Sequence, residues 1–176
     1  MLAVEGPRPP RTPDSIRLMK IGAELRLGGD VGELFADARA LEAAGADSLW
    51  VLARDDQDPW ILAAALAATT WRARLVVVGA IDRPETRTSL DRLSRGRLVI
   101  GVRSADAVAV PDAEGVTERW ALCELPSGRA EWKTLRAERE AQGFAGIVLP
   151  NDPRLLDLVR NPDVEDDRSD MRLAFG

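Results

Sequence analysis

Asp55, Asp56 and Asp58 place three carboxylates within four residues. Such a group could hold a metal ion or supply a base. The same acids also suit a plain helix start, where the dipole favours negative charge. Asp82-Arg83 and Arg103-Ser104 form a second set. They could receive a phosphate or the polar edge of a ring, or form a surface ion pair. Asn151-Asp152 is a third, able to face a ligand or simply to open a helix at Pro153. The chain has no histidine and no tyrosine. That excludes Ser-His-Asp and Cys-His catalysis, HExxH metal sites and imidazole acid–base chemistry. Proton transfer would fall to Asp, Glu, Lys or water. Cys123, the single cysteine, permits no internal disulfide and no multi-cysteine zinc site, and its apolar run reads as structural.

Each of these groups follows a run that reads as a strand. Ile16–Leu25 is the first, broken by Gly28-Gly29. Asp30 with Glu33 forms a capping box for a helix carrying Leu34, Ala38, Leu41 and Ala44 on one stripe, closed by Gly45. Ser48–Leu52 is the second strand. Asp58-Pro59 caps a helix running to about Thr70. Arg74–Gly79 is the third strand, rich in β-branched residues. Arg83–Ser94 is a short helix, which Gly96 can close in the left-handed conformation. Leu98–Val102 then reads as a strand covered on both faces. Ser104–Gly115 reads as a loop. Arg119–Leu125 is a fifth strand, Ser127 caps a helix to Ala141, and Phe144–Leu149 is a sixth strand. Arg154–Arg160 is a last helix, and Met171–Phe175 a candidate edge strand. The strict β-α alternation of the first hundred residues implies parallel strands with right-handed crossovers.

Net charge is −5, from 24 basic and 29 acidic residues, which disfavours nucleic acid as a partner. No apolar run reaches membrane-spanning length, and the lone cysteine fits a cytoplasmic protein. Residues 1–14, rich in Pro and Arg, read as a flexible arm, and 15–176 as one domain. Trp50, Trp60, Trp120 and Trp132 lie on helix or strand patterns and read as core. No Walker-type loop or GxGxxG is present.

The stretch Asp91-Arg-Leu-Ser-Arg-Gly-Arg-Leu-Val-Ile-Gly-Val102 resembles the helix-to-strand turn of bacterial luciferase-like flavin and deazaflavin (F420) monooxygenases. Ala38–Val51, Asp56–Thr69, Arg74–Val78 and Gly143–Leu158 resemble further segments of that family in the same order, covering roughly two thirds of the chain. The resemblance implies a TIM-barrel-like parallel β/α fold, here truncated to about six to seven strands. It implies FMN or F420 at the C-terminal strand ends, with Asp55, Asp82, Gly101, Arg103, Ser104 and Asn151 as cofactor-binding candidates. It implies an oxidoreductase of monooxygenase type. The chain also departs from the family. A full barrel takes about 250 residues, and the shortfall falls around 103–117. The family's Gly-x-Gly after strand four is Gly101-Val102-Arg103 here, and its histidine after strand two is missing. A non-catalytic remnant, binding a cofactor or serving assembly, is therefore the alternative. Six strands must close a smaller ring or leave edges open, and exposed edges or a one-sided apolar face call for a homodimer or larger assembly.

Overall fold

A computed structural model describes residues 19–162. Among them, seven strands form one closed barrel in sequence order, with five helices outside it. The strands are β1 (Lys20–Glu24), β2 (Ser48–Leu52), β3 (Arg74–Val78), β4 (Leu98–Arg103), β5 (Val108–Pro111), β6 (Thr117–Leu122) and β7 (Gly146–Pro150). The helices are α1 (Val31–Ala44), α2 (Pro59–Thr69), α3 (Pro84–Ser94), α4 (Arg129–Ala141) and α5 (Pro153–Arg160). The arm at 1–14 and the edge strand at 171–175 lie outside the described residues.

The helix starts follow local chemistry. The side chains of Asp30, Asp58 and Asp152 accept from the backbone N–H of Glu33, Trp60 and Arg154, each at 2.9 Å. Gly45 ends α1 at φ 107°. The end of α3 differs from expectation: Arg95, at φ 59°, takes the first left-handed position and Gly96 follows at 73°. The Arg95 guanidinium rests 4.1 Å from the Trp71 ring centroid, a cation–π contact that favours an otherwise uncommon non-glycine conformation. At α4 the N-cap is Gly128, and Ser127 instead donates through both N–H and Oγ to Glu131, at 2.7 Å each.

The barrel is mixed, which corrects the all-parallel expectation. β1 pairs in parallel with β2 and β7, and β2–β3, β3–β4 and β6–β7 are also parallel. β5 runs antiparallel to both β4 and β6. The stretch read as a loop thus supplies the closing strand, and among the described residues no open sheet edge remains. Asp112 shapes the turn into β6: its Oδ1 accepts from the N–H of Glu114 at 2.9 Å and of Val116 at 2.8 Å.

Strand alternation divides the apolar residues into two cores. Outward residues such as Ile21, Leu49, Val51, Leu75, Val77, Ile147 and Leu149 pack beneath the helices. Inside the barrel lie Trp50, Leu52, Val76, Val78, Val108, Val110, Trp120 and Val148. The two indoles are fully buried with centroids 5.3 Å apart, tilted at 51°. They need space that only glycine opposite them leaves. A Cβ on Gly22 would lie 2.4 Å from Trp50 Nε1, and one on Gly146 would lie 2.5 Å from Trp120 Cζ3. Trp60 and Trp132 are buried in the outer core, as their patterns indicate.

Candidate functional site

Six of the seven strands share one direction, so their carboxyl ends gather on one rim, where parallel β/α folds place ligands. Glu24 stands at the centre of that rim, 8% exposed. Its Oε1 accepts from Arg26 Nε at 2.8 Å and Arg54 Nη2 at 2.6 Å, and its Oε2 from Arg26 Nη2 at 3.1 Å. Burial works against the Glu24 charge, but the two guanidiniums outweigh it and hold the carboxyl below its ordinary value. Gln57 ties the surrounding loops together: its Oε1 accepts from Leu27 N–H at 2.9 Å, and its Nε2 donates to Leu52 O at 3.3 Å. Leu52 and Val78, the inward residues ending β2 and β3, are buried. The rim over this side of the axis is therefore closed by the protein's own ion cluster.

Room remains beside the axis. A cleft of about 540 Å³ beyond β2 and β3 is lined by Arg54 to Trp60, Gly79 to Ile81, and Arg83. It gathers Asp55, Asp56 and Asp58, as the spacing suggested. Asp58 both caps α2 and accepts from Arg83 Nη1 at 2.8 Å. Burial opposes its charge, while the Trp60 N–H and Arg83 together keep the carboxyl below its usual range. Among the described residues no cluster of three acids, cysteines or histidines is placed to hold a metal ion. Both cleft arginines already have carboxylate partners, Arg54 with Glu24 and Arg83 with Asp58. Three acids against two engaged arginines leave the cleft net negative.

The remaining candidates are scattered. Asp82 is exposed next to the cleft but does not line it. Gly101 is buried and faces the barrel interior, where a Cβ would meet Val108 Cγ1 at 2.8 Å and Val78 Cγ2 at 3.0 Å. Its missing side chain makes way for β5. Arg103 is exposed at the end of β4. Ser104 Oγ donates to Ala107 O at 3.0 Å within the β4–β5 hairpin. Asn151 lies across the rim, its Nδ2 donating to Asp37 Oδ2 at 2.8 Å, beside a smaller cleft of about 260 Å³ that also contains Glu24, Asp30 and Glu33.

Sequence reasoning missed Glu24, Arg26 and Gln57. The signal was faint: Glu24 ends a short strand whose middle residues, Ile21 to Ala23, are apolar. Also missed was the opposite end of the barrel. There Glu118 pairs with Lys20, accepts from Arg74 Nη2 at 3.0 Å, and accepts from Trp120 Nε1 at 3.1 Å. Burial raises the Glu118 carboxyl, and these donors more than reverse it. Cys123 is half-buried beside α4, its thiol pushed up by burial, which suits a packed thiol better than a nucleophile.

A tricyclic flavin or deazaflavin laid over the axis does not fit these residues. It would have to displace Arg26, Arg54 and Gln57 from their bonds. Its phosphate would meet an acidic cleft whose arginines are taken. Comparison with protein-family models and with curated proteins finds no match to this chain.

Proposed function

We propose that this chain is a shortened relative of the luciferase-like barrels that performs no redox turnover and serves as a binding or assembly protein. One observation carries the reading: the arginines that line the rim's clefts, and Asn151 across from them, are bound to carboxylates of the protein itself. Glu24 holds Arg26 and Arg54, Asp58 holds Arg83, and Asn151 holds Asp37. A catalytic rim keeps donors and acceptors directed at substrate or cofactor, and has a group poised to exchange a proton. Here the buried carboxylate Glu24 is held below its ordinary value by Arg26 and Arg54 despite its burial, the reverse of the raised carboxyl of a poised acid.

The kinship rests on the order of the sequence segments and on the β/α barrel that they build. The antiparallel β5 then stands where a longer relative would carry further β/α units. The competing reading, a small FMN- or F420-dependent oxidoreductase, would require Arg26, Arg54 or Arg83 to leave its carboxylate partner for the cofactor.

Titration of the purified protein with FMN and with F420, following cofactor fluorescence and tryptophan emission, tests the proposal. The expected result is no saturable binding of either through the high micromolar range. Saturable micromolar binding would overturn it and restore the oxidoreductase reading.

A further inference from the structure

Arg26, Arg54 and Arg83 at the carboxyl rim each hold a carboxylate. Arg95, at the opposite end of the barrel, holds none. It stands between α3 and β4 in a left-handed backbone conformation, at φ 59°, that glycine would take freely. Its guanidinium lies 4.1 Å from the ring centroid of Trp71, which stands in the turn between α2 and β3. Among the described residues that guanidinium makes no hydrogen bond and no ion pair, not even with Asp91 one turn back on α3. Trp71 is 63% exposed, whereas the other four tryptophans are buried. An uncommon backbone conformation and an exposed indole both work against stability, and strained residues gather at functional sites.

The charge around this pair is positive. Arg72 follows Trp71 and is exposed, its Nη2 donating to Glu42 O at 3.4 Å. Arg97 is turned inward, donating to Ala67 O, Thr70 O and Ala73 O around the end of α2. The Glu42 carboxylate lies beneath the same turn, buried and already accepting from the N–H groups of Trp71, Arg72 and Ala73. Cations offset the dipole at helix C-termini, but the carbonyls that end α2 are bonded by Arg97 and leave the Arg95 donors open. A guanidinium held flat on a ring keeps those donors at its edge, which suits two-pronged bonding of a planar oxyanion.

We propose that Trp71, Arg72 and Arg95 form a docking spot for an acidic segment of a partner protein. One carboxylate of the partner takes the edge of the Arg95 fork, and a second meets Arg72. An apolar side chain beside them covers the open part of the Trp71 ring. Tryptophan and arginine are the residue types that carry most of the energy at protein interfaces. A protein carboxylate is favoured over a nucleic-acid backbone, because a chain of net charge −5 repels a long run of phosphates. The spot lies where the strands begin, away from the carboxyl rim. Its truth is therefore separate from whether the rim binds FMN or F420.

Fluorescence anisotropy on the full chain tests it, with a labelled peptide of glutamates around a single leucine and a labelled single-stranded oligonucleotide of similar charge. The wild type is expected to bind the peptide saturably by the high micromolar range, with a change in tryptophan emission from the exposed Trp71. Trp71→Ala and Arg95→Gly are each expected to weaken that binding at least tenfold. Arg95→Gly is expected to keep or raise the thermal unfolding midpoint, since glycine suits that backbone position. Its loss of binding is then not a loss of fold. Arg103→Ala, which removes an exposed arginine at the other end of the barrel, is expected to bind as the wild type does. The proposal is overturned by a wild type that does not bind the peptide, or by an Arg95→Gly protein that binds it unchanged. Equal weakening in Arg103→Ala, or tighter binding of the oligonucleotide than of the peptide, also overturns it.

Discussion

Glu42 is the residue on which a whole connection depends. It is 8% exposed on α1, and its carboxylate accepts from the backbone N–H groups of Trp71, Arg72 and Ala73 at 2.6–3.0 Å. It thereby satisfies the turn that leads from α2 into β3. Burial opposes its charge, yet these three donors with Arg97 nearby hold it below the ordinary carboxylate value. Glu42→Ala would leave three N–H groups without an acceptor and is expected to cost about 2–4 kcal/mol, read by urea unfolding. Glu24, Glu42 and Glu118 share this downward direction. A carboxyl lower in the folded state stabilises the fold above its unfolded value near 4.3, and that stability is lost as pH falls through the folded value. Unfolding free energy is thus expected to drop below about pH 4.5 and to vary little between about pH 6 and 8, with no histidine to titrate. Glu42→Gln should make the acid limb shallower. An acid limb unchanged in this variant would mean that Glu42 titrates alike in both states.

Much at the scale of elements was legible because local chemistry decides it. Asp30, Asp58 and Asp152 each cap the helix that their position announced, and β2 spans the same five residues as its apolar run. β5 was not legible, since its four residues end in Pro111 and its inward pair is just Val108 and Val110. The signal that could have found it was Gly101, whose missing side chain leaves room for Val108 of β5. The same steric logic applies to the tryptophans. Gly146→Ala is expected to cost at least about 2 kcal/mol by overpacking against Trp120. Shortening the partner in Gly146→Ala/Trp120→Leu should make the two effects less than additive, measured as a double-mutant cycle. Strict additivity would show that the indole is free to move aside. Of the candidate site, the acid cluster at 55–58 was readable as a helix start. The Glu24 cluster was not, because Arg26 and Arg54 meet it from different loops and no spacing links them.

Taken whole, the barrel is held unevenly. β1 and β7 match over five residue pairs, whereas β4 and β5 match over two, Val102–Ala109 and Arg103–Val108. Strand β5 has no helix over it. Amide exchange is expected to be faster at β5 than at the other strands. Equal protection of β5 and β3 would show that the short seam is no weak point. Among the described residues no helix is long and apolar enough to cross a membrane.

Because the ring is closed, the sense of its strands must change an even number of times on one circuit. Omitting the helix between β4 and β5 turns the chain downward. Omitting the next one, between β5 and β6, turns it upward again. Had the second helix been kept, β6 and β7 would have run downward too, and their loops would have left the rim that holds Glu24. Keeping the other strand ends of such a ring on one side is thus a matter of parity: tight turns replace crossovers in even number, and an adjacent pair of them inverts one strand alone.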